Sequence, residues 1–407
     1  MSKVLLLLVF VVLLIIPCIH ALWVYEVHVG LERRVKDMVR AYEDYIVAVG
    51  RDTAPTPPVV YAAIFTYELE QLGIYKLVEM GLVQDFDYLN GMVAVVGHLV
   101  GETVEESFYR VALLDTGSGA VKYTDLQITV SDYTPYVALS GSYVYVAVYD
   151  KNDDTRHLYI MDADLNVLSV ADIGMGFVRR VLGSINLLLV CNTSSGQLYL
   201  ADGSGGYLDV LYVRTSPTAG IYDDLIAYTV PAAGIYDPAE NAVYILLRYD
   251  SGDVYLVKYD LGSHSVSYEF YVGSFGNIIF LAKYSDMIYI ICDGDPSGGT
   301  GVRISIVNGS PSSVNTEFLP RYAFGHRIIG GVEHMYNLGS DRERIIRFVW
   351  RTFTRTYTEE QVVYRYETET VTNTTTVTVT TSEPSELAAP ALLAFIFALM
   401  LGVVLRR

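Results

Sequence analysis

The chain has 407 residues, of which 52% are hydrophobic and 18% charged, and its 46 acidic and 28 basic side chains give a formal net charge of −18. This composition excludes a disordered chain, and the acidic balance lacks the basic surface that nucleic-acid binding requires. Three cysteines cannot form a disulfide scaffold. The length suits one large domain or two ordinary ones.

Residues 1–21 are predicted to form a secretory signal peptide. Lys3 precedes an unbroken apolar run over residues 4–16, and Ala21 is a suitable last residue before a cleavage site. The run is too short to cross a bilayer comfortably, because a spanning helix needs about 20 residues. An uncleaved signal anchor and a lipoprotein signal are the alternatives.

The C-terminal end is predicted to anchor the chain in a membrane. Residues 387–405 contain no charge and form a predicted transmembrane helix, and the arginines at 406–407 then form a cytoplasmic tail by the positive-inside rule. A buried C-terminal helix is the alternative. Eleven of the twenty residues in 367–386 are Ser or Thr, a composition typical of an extended, glycosylated spacer.

The body, residues 22–366, is predicted to be all-β and built from a repeat. A turn followed by a strongly apolar strand recurs seven times, with starts between 42 and 57 residues apart. The seven apolar strands are predicted at residues 45–50, 92–97, 143–149, 185–191, 242–247, 287–292 and 332–338. One further strand before each turn and two after it give units of four strands.

Four-stranded units of this length are typical of β-propeller blades. Each small sheet is apolar on both faces and can bury both only against its neighbours, so we expect the inner strands to be the most apolar. The sequence therefore predicts seven blades, with residues 22–30 pairing with the last blade. Six or eight blades and tandem β-sandwiches are the alternatives, and residues 32–43 could instead form a short amphipathic helix.

The recurring pattern of turn, YIVAVG-like strand, loop, YLxxxD-like strand and turn resembles secreted β-propellers of prokaryotic cell surfaces. The tyrosine-rich body, the Ser/Thr-rich segment and the apolar end closed by arginines resemble membrane-anchored exported proteins of hyperthermophilic archaea. This resemblance implies a single-pass membrane protein with an extracellular body and a cytoplasmic C-terminus. The sequence has no WD series, kelch pattern or sialidase Asp-box, so no functional residue is carried over from a family.

The sequence nominates no catalytic or cofactor-binding residue, and its metal candidates are weak. Asp162, Asp164 and Asn166 begin like a calcium loop but lack the Gly and the late Glu that such loops use. Hairpin turns also favour Asp and Asn for backbone reasons. His326 and His334 flank a Gly-Gly turn and could meet across a hairpin, although ordinary strand residues are the simpler interpretation.

The asparagines in glycosylation sequons and the cysteines of the body give two further predictions. Sequons at Asn192, Asn308 and Asn373 predict N-glycosylation of an exported chain. Cys191 and Cys292 end equivalent strands two units apart, which is too far for a disulfide bond. We expect both to be buried as small apolar residues.

These observations favour a non-catalytic surface module, held by its C-terminal helix, that binds an envelope protein or a glycan. One alternative is an extracellular hydrolase or lyase acting on polysaccharide, which would need two carboxylates across a central channel. Another is an accessory subunit of a membrane transporter or redox complex, because small residues at four-residue spacing in 387–405 would allow helix packing. Neither nucleic acid nor a cofactor other than calcium is expected.

Overall fold

The computed structural model describes residues 24–35, 37–99, 108–129, 133–215, 232–249, 251–293, 298–320, 322–339, 342–350, 353–364 and 370–381. The predicted signal peptide and the predicted transmembrane helix with its tail lie outside these residues. Within the described ranges, no helix is long and apolar enough to cross a membrane. These ranges contain β-strands joined by turns and loops.

The fold is an all-β, seven-bladed β-propeller with four-stranded antiparallel blades. The first strand of the chain, β1 (Val24–Gly30), belongs to the last blade. The first blade contains β2 (Met38–Ala41), β3 (Ile46–Asp52), β4 (Val59–Phe65) and β5 (Gln71–Glu79). The second contains β6 (Leu82–Leu89), β7 (Met92–Leu99), β8 (Phe108–Asp115) and β9 (Val121–Thr129). The third contains β10 (Tyr136–Ser140), β11 (Tyr143–Asp150), β12 (Thr155–Met161) and β13 (Val167–Asp172).

The remaining blades repeat this order along the chain. The fourth contains β14 (Phe177–Arg180), β15 (Leu187–Asn192), β16 (Gln197–Asp202) and β17 (Asp209–Thr215). The fifth contains β18 (Ala232–Asp237), β19 (Ala242–Arg248), β20 (Asp253–Asp260) and β21 (Ser265–Ser274). The sixth contains β22 (Ile278–Tyr284), β23 (Met287–Cys292), β24 (Gly299–Val307) and β25 (Ser310–Leu319). The seventh joins β26 (Ala323–Ile329), β27 (Val332–Leu338) and β28 (Arg344–Val349) to β1.

The seven predicted apolar strands correspond to β3, β7, β11, β15, β19, β23 and β27, each lying second in its sheet. The predicted count of seven blades is therefore confirmed. The sheets do not form the tandem β-sandwiches that were the alternative. The expected pairing of the N-terminal strand with the last blade is also confirmed, since β1 lies beside β28. The helix considered for residues 32–43 does not form, because β2 occupies the end of that segment.

The apolar character of the second strands follows from burial on both faces. In β7, Val93 and Val95 pack in the core shared with the first blade. Ala94 and Val96, which point to the opposite face, pack in the core shared with the third blade. A strand covered on both faces reads as a continuous apolar run rather than as an alternation. The recurring sequence signal is therefore the signature of blade-to-blade packing.

The innermost strands are less uniformly apolar than the second strands. The most apolar strand of a blade is the second, whereas β2, β6 and β14 in the innermost position carry Arg and Asp side chains. An innermost strand has a sheet neighbour on one side only. Its other edge leaves N–H and C=O groups that need polar partners.

The chain divides into two compact units, and the larger, residues 28–327 with 336–346, contains the first six blades complete. The smaller unit contains a two-stranded antiparallel ribbon of β29 (Phe353–Tyr364) and β30 (Thr370–Thr381). Its backbone register pairs Phe353 with Thr381 and Tyr364 with Thr370. Part of the Ser/Thr-rich segment 367–386 is thus one strand of a ribbon that begins before the expected boundary at 366.

Candidate functional site

A cavity of about 100 Å³ lies between the innermost strands of the larger unit. One side of the cavity is polar and is formed by Arg40, Asp87, Arg179 and Arg180. The other side is apolar and is formed by strands β18 and β22 together with Phe324.

Asp85 binds two of the arginines that form the polar side. Arg40 donates from Nη2 to Asp85 Oδ1 at 2.6 Å, and Arg179 donates from Nη1 to Oδ2 at 2.7 Å. The backbone N–H of Val137 donates to the same Oδ2 at 2.7 Å. The Asp85 side chain is fully buried. One carboxylate therefore joins the first, second, third and fourth blades.

Asp87, two residues along β6, repeats this arrangement. Its Oδ2 accepts the N–H of Leu139 at 2.8 Å and lies 3.3 Å from Arg180 Nε. Leu139 is two residues after Val137 on β10, so the spacing of the two carboxylates matches that of the two N–H groups. Alternate residues of an edge strand point their N–H groups away from the sheet. Asp85 and Asp87 thus substitute for the strand that β10 lacks on its inner side.

Arginines satisfy the carbonyl groups on the inner edge of β6 in the same way. Arg180 donates to the carbonyl oxygen of Tyr88 at 2.9 Å, and Arg40 donates to that of Phe86. Arg180 also reaches Glu43 Oε1 at 2.7 Å, and this carboxylate accepts the N–H of Gly183. Both ends of the Arg180 guanidinium are therefore held by groups from other blades.

Burial and ion pairing act in opposite directions on the pKa values of these groups. Burial alone would lower the pKa of Arg180, but the Asp87 and Glu43 carboxylates raise it above its usual value. Burial alone would raise the pKa of Glu43, but Arg180 holds it below its usual value. Burial raises the pKa of Asp87 despite Arg180 and the N–H of Leu139. The Arg180 guanidinium therefore remains charged over the whole physiological range.

The arrangement is suited to holding blades together. Asp85 and Asp87 are buried and are each bound to an arginine and to a backbone N–H of β10. General acid–base catalysis needs a carboxyl group within hydrogen-bond reach of a substrate atom. The carboxylate oxygens of Asp85 and Asp87 that would have to contact a substrate already accept hydrogen bonds from the protein.

The calcium candidates of the sequence lie together in the turn between β12 and β13. Asp162 Oδ1 accepts the N–H groups of Asp164 and Asn166, each at 2.9 Å, and Oδ2 accepts Asn166 Nδ2 at 2.9 Å. The carboxylate of Asp164 pairs with Lys122 Nζ at 2.5 Å. The Asn166 amide and these backbone N–H groups lower the pKa of Asp162. The oxygens thus stabilise the turn and its contact with the second blade.

Another group brings potential metal ligands together in the described part of the chain. Asp150, Asp153 and His157 place ligand atoms within 4.8 Å of one another near the turn between β11 and β12. His157 Nε2 and Asp153 Oδ2 are already hydrogen-bonded at 2.6 Å. His326, a candidate from the sequence, is buried and stacks on Tyr289 with ring centroids 3.7 Å apart.

The sequons occupy different structural settings. Asn192 ends β15, and its side chain accepts the N–H of Ser195 at 3.0 Å. Asn308 is exposed in the turn between β24 and β25, with a φ of 51°. Asn373 lies in β30, opposite Gln361 in the backbone register. His334, Cys191 and Cys292 are buried.

Sequence reasoning missed the arginines and aspartates of the central cluster. A signal was present, because Asp85 and Asp87 stand two residues apart in QDFDYL and Arg179 and Arg180 end FVRR. Both segments immediately precede a recurring apolar strand. Charges at that position in a propeller repeat point to the unpaired inner edge of a blade.

Comparisons with known proteins give only likenesses to solved structures at low sequence identity. No family model matches the chain, and no characterised protein matches it by sequence. The structure is similar to a chain of a mitotic checkpoint complex, with a TM-score of 0.48, 8% identity and coverage of 80% of this chain and 91% of that one. It is also similar to a putative 6-phosphogluconolactonase from Bacteroides uniformis, with a TM-score of 0.48, 13% identity and coverage of 83% and 97%. For a second such protein, from Bacteroides fragilis, the values are 0.45, 12%, 75% and 93%. At these TM-scores the likeness carries no argument about function.

Proposed function

We propose that the chain is a membrane-anchored cell-surface β-propeller that acts as a non-catalytic binding module for an envelope protein or glycan. The observation that supports this proposal is the paired ionic cluster between the innermost strands. A propeller glycosidase would use two carboxylates facing a sugar in this position. Here Asp85 and Asp87 bind arginines and the edge of β10 instead.

The size of the central cavity supports the same proposal. Small-molecule sites usually have volumes of about 300–1,000 Å³. The cavity among the innermost strands has about 100 Å³. A sugar ring would enter only after Arg40, Arg179 and Arg180 gave up their buried ion pairs, which is costly. A cavity of about 360 Å³ that lies at the turns of the fifth and sixth blades, beside Glu240 and Lys283, is within that range. We therefore place binding at the loops and outer strands of the blades rather than between the innermost strands.

The location is part of the proposal and rests on the two ends of the sequence. An apolar segment at 387–405 followed by two arginines would hold the body outside the cell. The strongly acidic body would stay soluble there and would be repelled by other acidic surfaces. Deletion of residues 387–407 should release the chain from the membrane fraction into the medium, and retention of the truncated chain would contradict the anchor.

The binding role is tested with the full chain purified in detergent from its own envelope. We expect it to retain a defined envelope protein or glycan through washing. It should also release no reducing sugar from envelope polysaccharide. Sugar release by the full chain that is lost in Asp87→Asn, with the fold retained by circular dichroism, would overturn the proposal in favour of a hydrolase.

A further inference from the structure

Strand β13 differs in charge from the other outer strands of the larger unit. Each of these six strands carries a β-bulge against its neighbour, so bulges do not distinguish it. The other five carry a charged residue or proline inside the strand: Lys76 in β5, Lys122 and Asp125 in β9, Arg214 in β17, Glu269 in β21, and Pro311 and Glu317 in β25. In β13 the only charge is the last residue, Asp172. Charges and prolines are what usually protect an edge strand from pairing with another chain.

All six residues of β13 are exposed. Its apolar side chains Val167, Leu168 and Val170 are 47%, 50% and 49% exposed. The strand pairs with β12 on one side and ends the sheet on the other. Since alternate residues of an antiparallel strand bond to the neighbour, the remaining N–H and C=O groups of β13 face outward. The strand thus offers both apolar side chains and backbone groups to a partner.

Exposed apolar side chains also lie on the neighbouring fourth blade. Gly206, in the turn between β16 and β17, lies so close to Leu168 that an added Cβ would be 3.1 Å from its Cδ1. Tyr207 follows in the same turn, and Val210 and Val213 lie on β17, all three exposed. Leu168 thus lies where the third blade meets the fourth, and clusters of exposed apolar side chains are typical of protein interaction sites.

Acidic residues flank β13 at both ends. Asp162 and Asp164 lie in the turn that precedes it, where Lys122 pairs with Asp164. At the other end, Asp172 lies opposite His157 in the register with β12. The adjoining turn between β11 and β12 adds a further acidic group: Asp150, Asp153 and Asp154, with Lys151 as the single cation. A partner that fits this surface is apolar at its centre and basic at its ends.

We propose that β13 binds an extended segment of another protein as a fifth strand of the third blade, with alternating apolar side chains and basic ends. This surface deepens the proposed binding function and rests on it. Strand addition gives affinity through main-chain hydrogen bonds, and the alternate side chains give specificity. The flanking aspartates select basic over acidic segments.

A second copy of this chain fits the same surface poorly. Pairing of two β13 strands in antiparallel orientation would place Asp172 of one copy beside Asp162 and Asp164 of the other. Parallel pairing would place Asp172 beside Asp172. Both arrangements bring acidic groups together in molecules that each carry a net charge of −18, and like charges across a strand pair are destabilising.

The test uses the full chain in detergent and the fluorescent peptide Lys-Val-Thr-Val-Thr-Val-Lys. We expect saturable binding that weakens with salt, and a peptide with Glu at both ends should bind at least about tenfold more weakly. Val170→Lys should weaken binding at least about tenfold, by introducing a charge on the edge. Val266→Lys, an exposed valine of outer strand β21, is the matched control and should bind like the native chain.

A measurement on the unsubstituted chain covers the case in which Val170→Lys fails to fold. Peptide binding should slow amide hydrogen exchange in residues 167–172 and leave residues 265–274 unchanged. Equal binding by the two lysine variants, equal binding of the Glu-ended peptide, or protection elsewhere would each overturn the proposal. Concentration-dependent dimerisation of the native chain that Val170→Lys abolishes would also overturn the proposal, because β13 would then bind a second copy of the chain. If both variants retain the same envelope partner equally, the binding function stands and β13 is not its surface.

Discussion

Arg179 donates to Asp85 at 2.7 Å across 94 residues of sequence, and so joins the fourth blade to the second. The same carboxylate oxygen accepts the N–H of Val137 on the blade between them. Arg40 of the first blade binds the other oxygen. Four consecutive blades are therefore held by one buried carboxylate, and the loss of its charge affects all of them together.

Asp85→Asn should destabilise the chain strongly. The amide keeps the shape of the side chain but leaves Arg40 and Arg179, which are largely buried, without the carboxylate that both of them bind. Removing one partner of a buried ion pair costs about 3–5 kcal/mol. The measurement is the free energy of unfolding of the full chain from guanidinium chloride titration. We expect the midpoint to fall with an unchanged slope.

Asp164→Asn is the matched control for this substitution. Asp164 is also paired, with Lys122 at 2.5 Å, but its side chain is 71% exposed. Exposed ion pairs contribute little to stability because water and salt screen them. If Asp164→Asn and Asp85→Asn lowered the free energy of unfolding equally, burial would not be the reason that the ion pairs of Asp85 stabilise the chain.

Features that depend on neighbouring residues could be predicted from the sequence, whereas contacts between residues far apart along the chain could not. Strand β23 runs over residues 287–292 as predicted, because turn chemistry and a continuous apolar run are local signals. The turn before β7 contains Asn90 and Gly91 with φ values of 49° and 82°, as their residue types suggest. The partners of Asp85 come from three other blades, and no local pattern states which arginine reaches it. The site was therefore missed although its residues lie in strands that were expected.

Gly176→Ala should destabilise the fourth blade. A Cβ on Gly176 would lie 1.9 Å from the carbonyl oxygen of Cys191 and 2.7 Å from that of Ile173. Both are backbone atoms, so the loop entering β14 would have to move away from the end of β15. Forcing extra volume into a packed site typically costs about 1–3 kcal/mol. The same unfolding titration measures the change.

Gly30→Ala is the control for this second substitution. A Cβ on Gly30 would meet no atom within 4 Å. We expect no measurable change in the midpoint of unfolding. Equal midpoints for Gly176→Ala and Gly30→Ala would mean that the loop before β14 is not held against β15 in solution.

Cys292 should resist alkylation in the native chain. It is buried at the end of β23, and burial is the main cause that raises the pKa of its thiol to about 12. The thiolate is the reactive form, so little of it is present near neutral pH. Iodoacetamide labelling at this residue, followed by mass spectrometry of its peptide, should appear only after unfolding. Val266→Cys, at an exposed position, should label readily in the native chain, and equal native labelling at both sites would contradict the burial.

Acid should remove a stabilising contribution of Glu240 at the start of the fifth blade's second strand. Its carboxylate lies 2.6 Å from Lys258 Nζ and 3.0 Å from Lys283 Nζ, and Tyr244 donates to it at 2.5 Å. Burial alone would raise the pKa of Glu240, but these three groups lower it to about 2 from an ordinary value of 4.5. A carboxyl group whose pKa is lowered by folding stabilises the chain above its unfolded pKa. That contribution disappears as the pH falls from 4.5 to about 2.

Glu240→Gln removes the titrating carboxyl group. Comparing the variant with the native chain therefore shows the pH range in which Glu240 contributes to stability. The native chain should be more stable than the variant at about pH 6, and the difference in free energy of unfolding should shrink steadily towards about pH 2. Glu68→Gln, at an exposed position in the first blade, is the control and should be as stable as the native chain at about pH 6, because exposed charges contribute little to stability. A difference between the native chain and Glu240→Gln that stays constant over this range would contradict the lowered pKa. It would mean that Lys258 and Lys283 do not hold the carboxylate in solution.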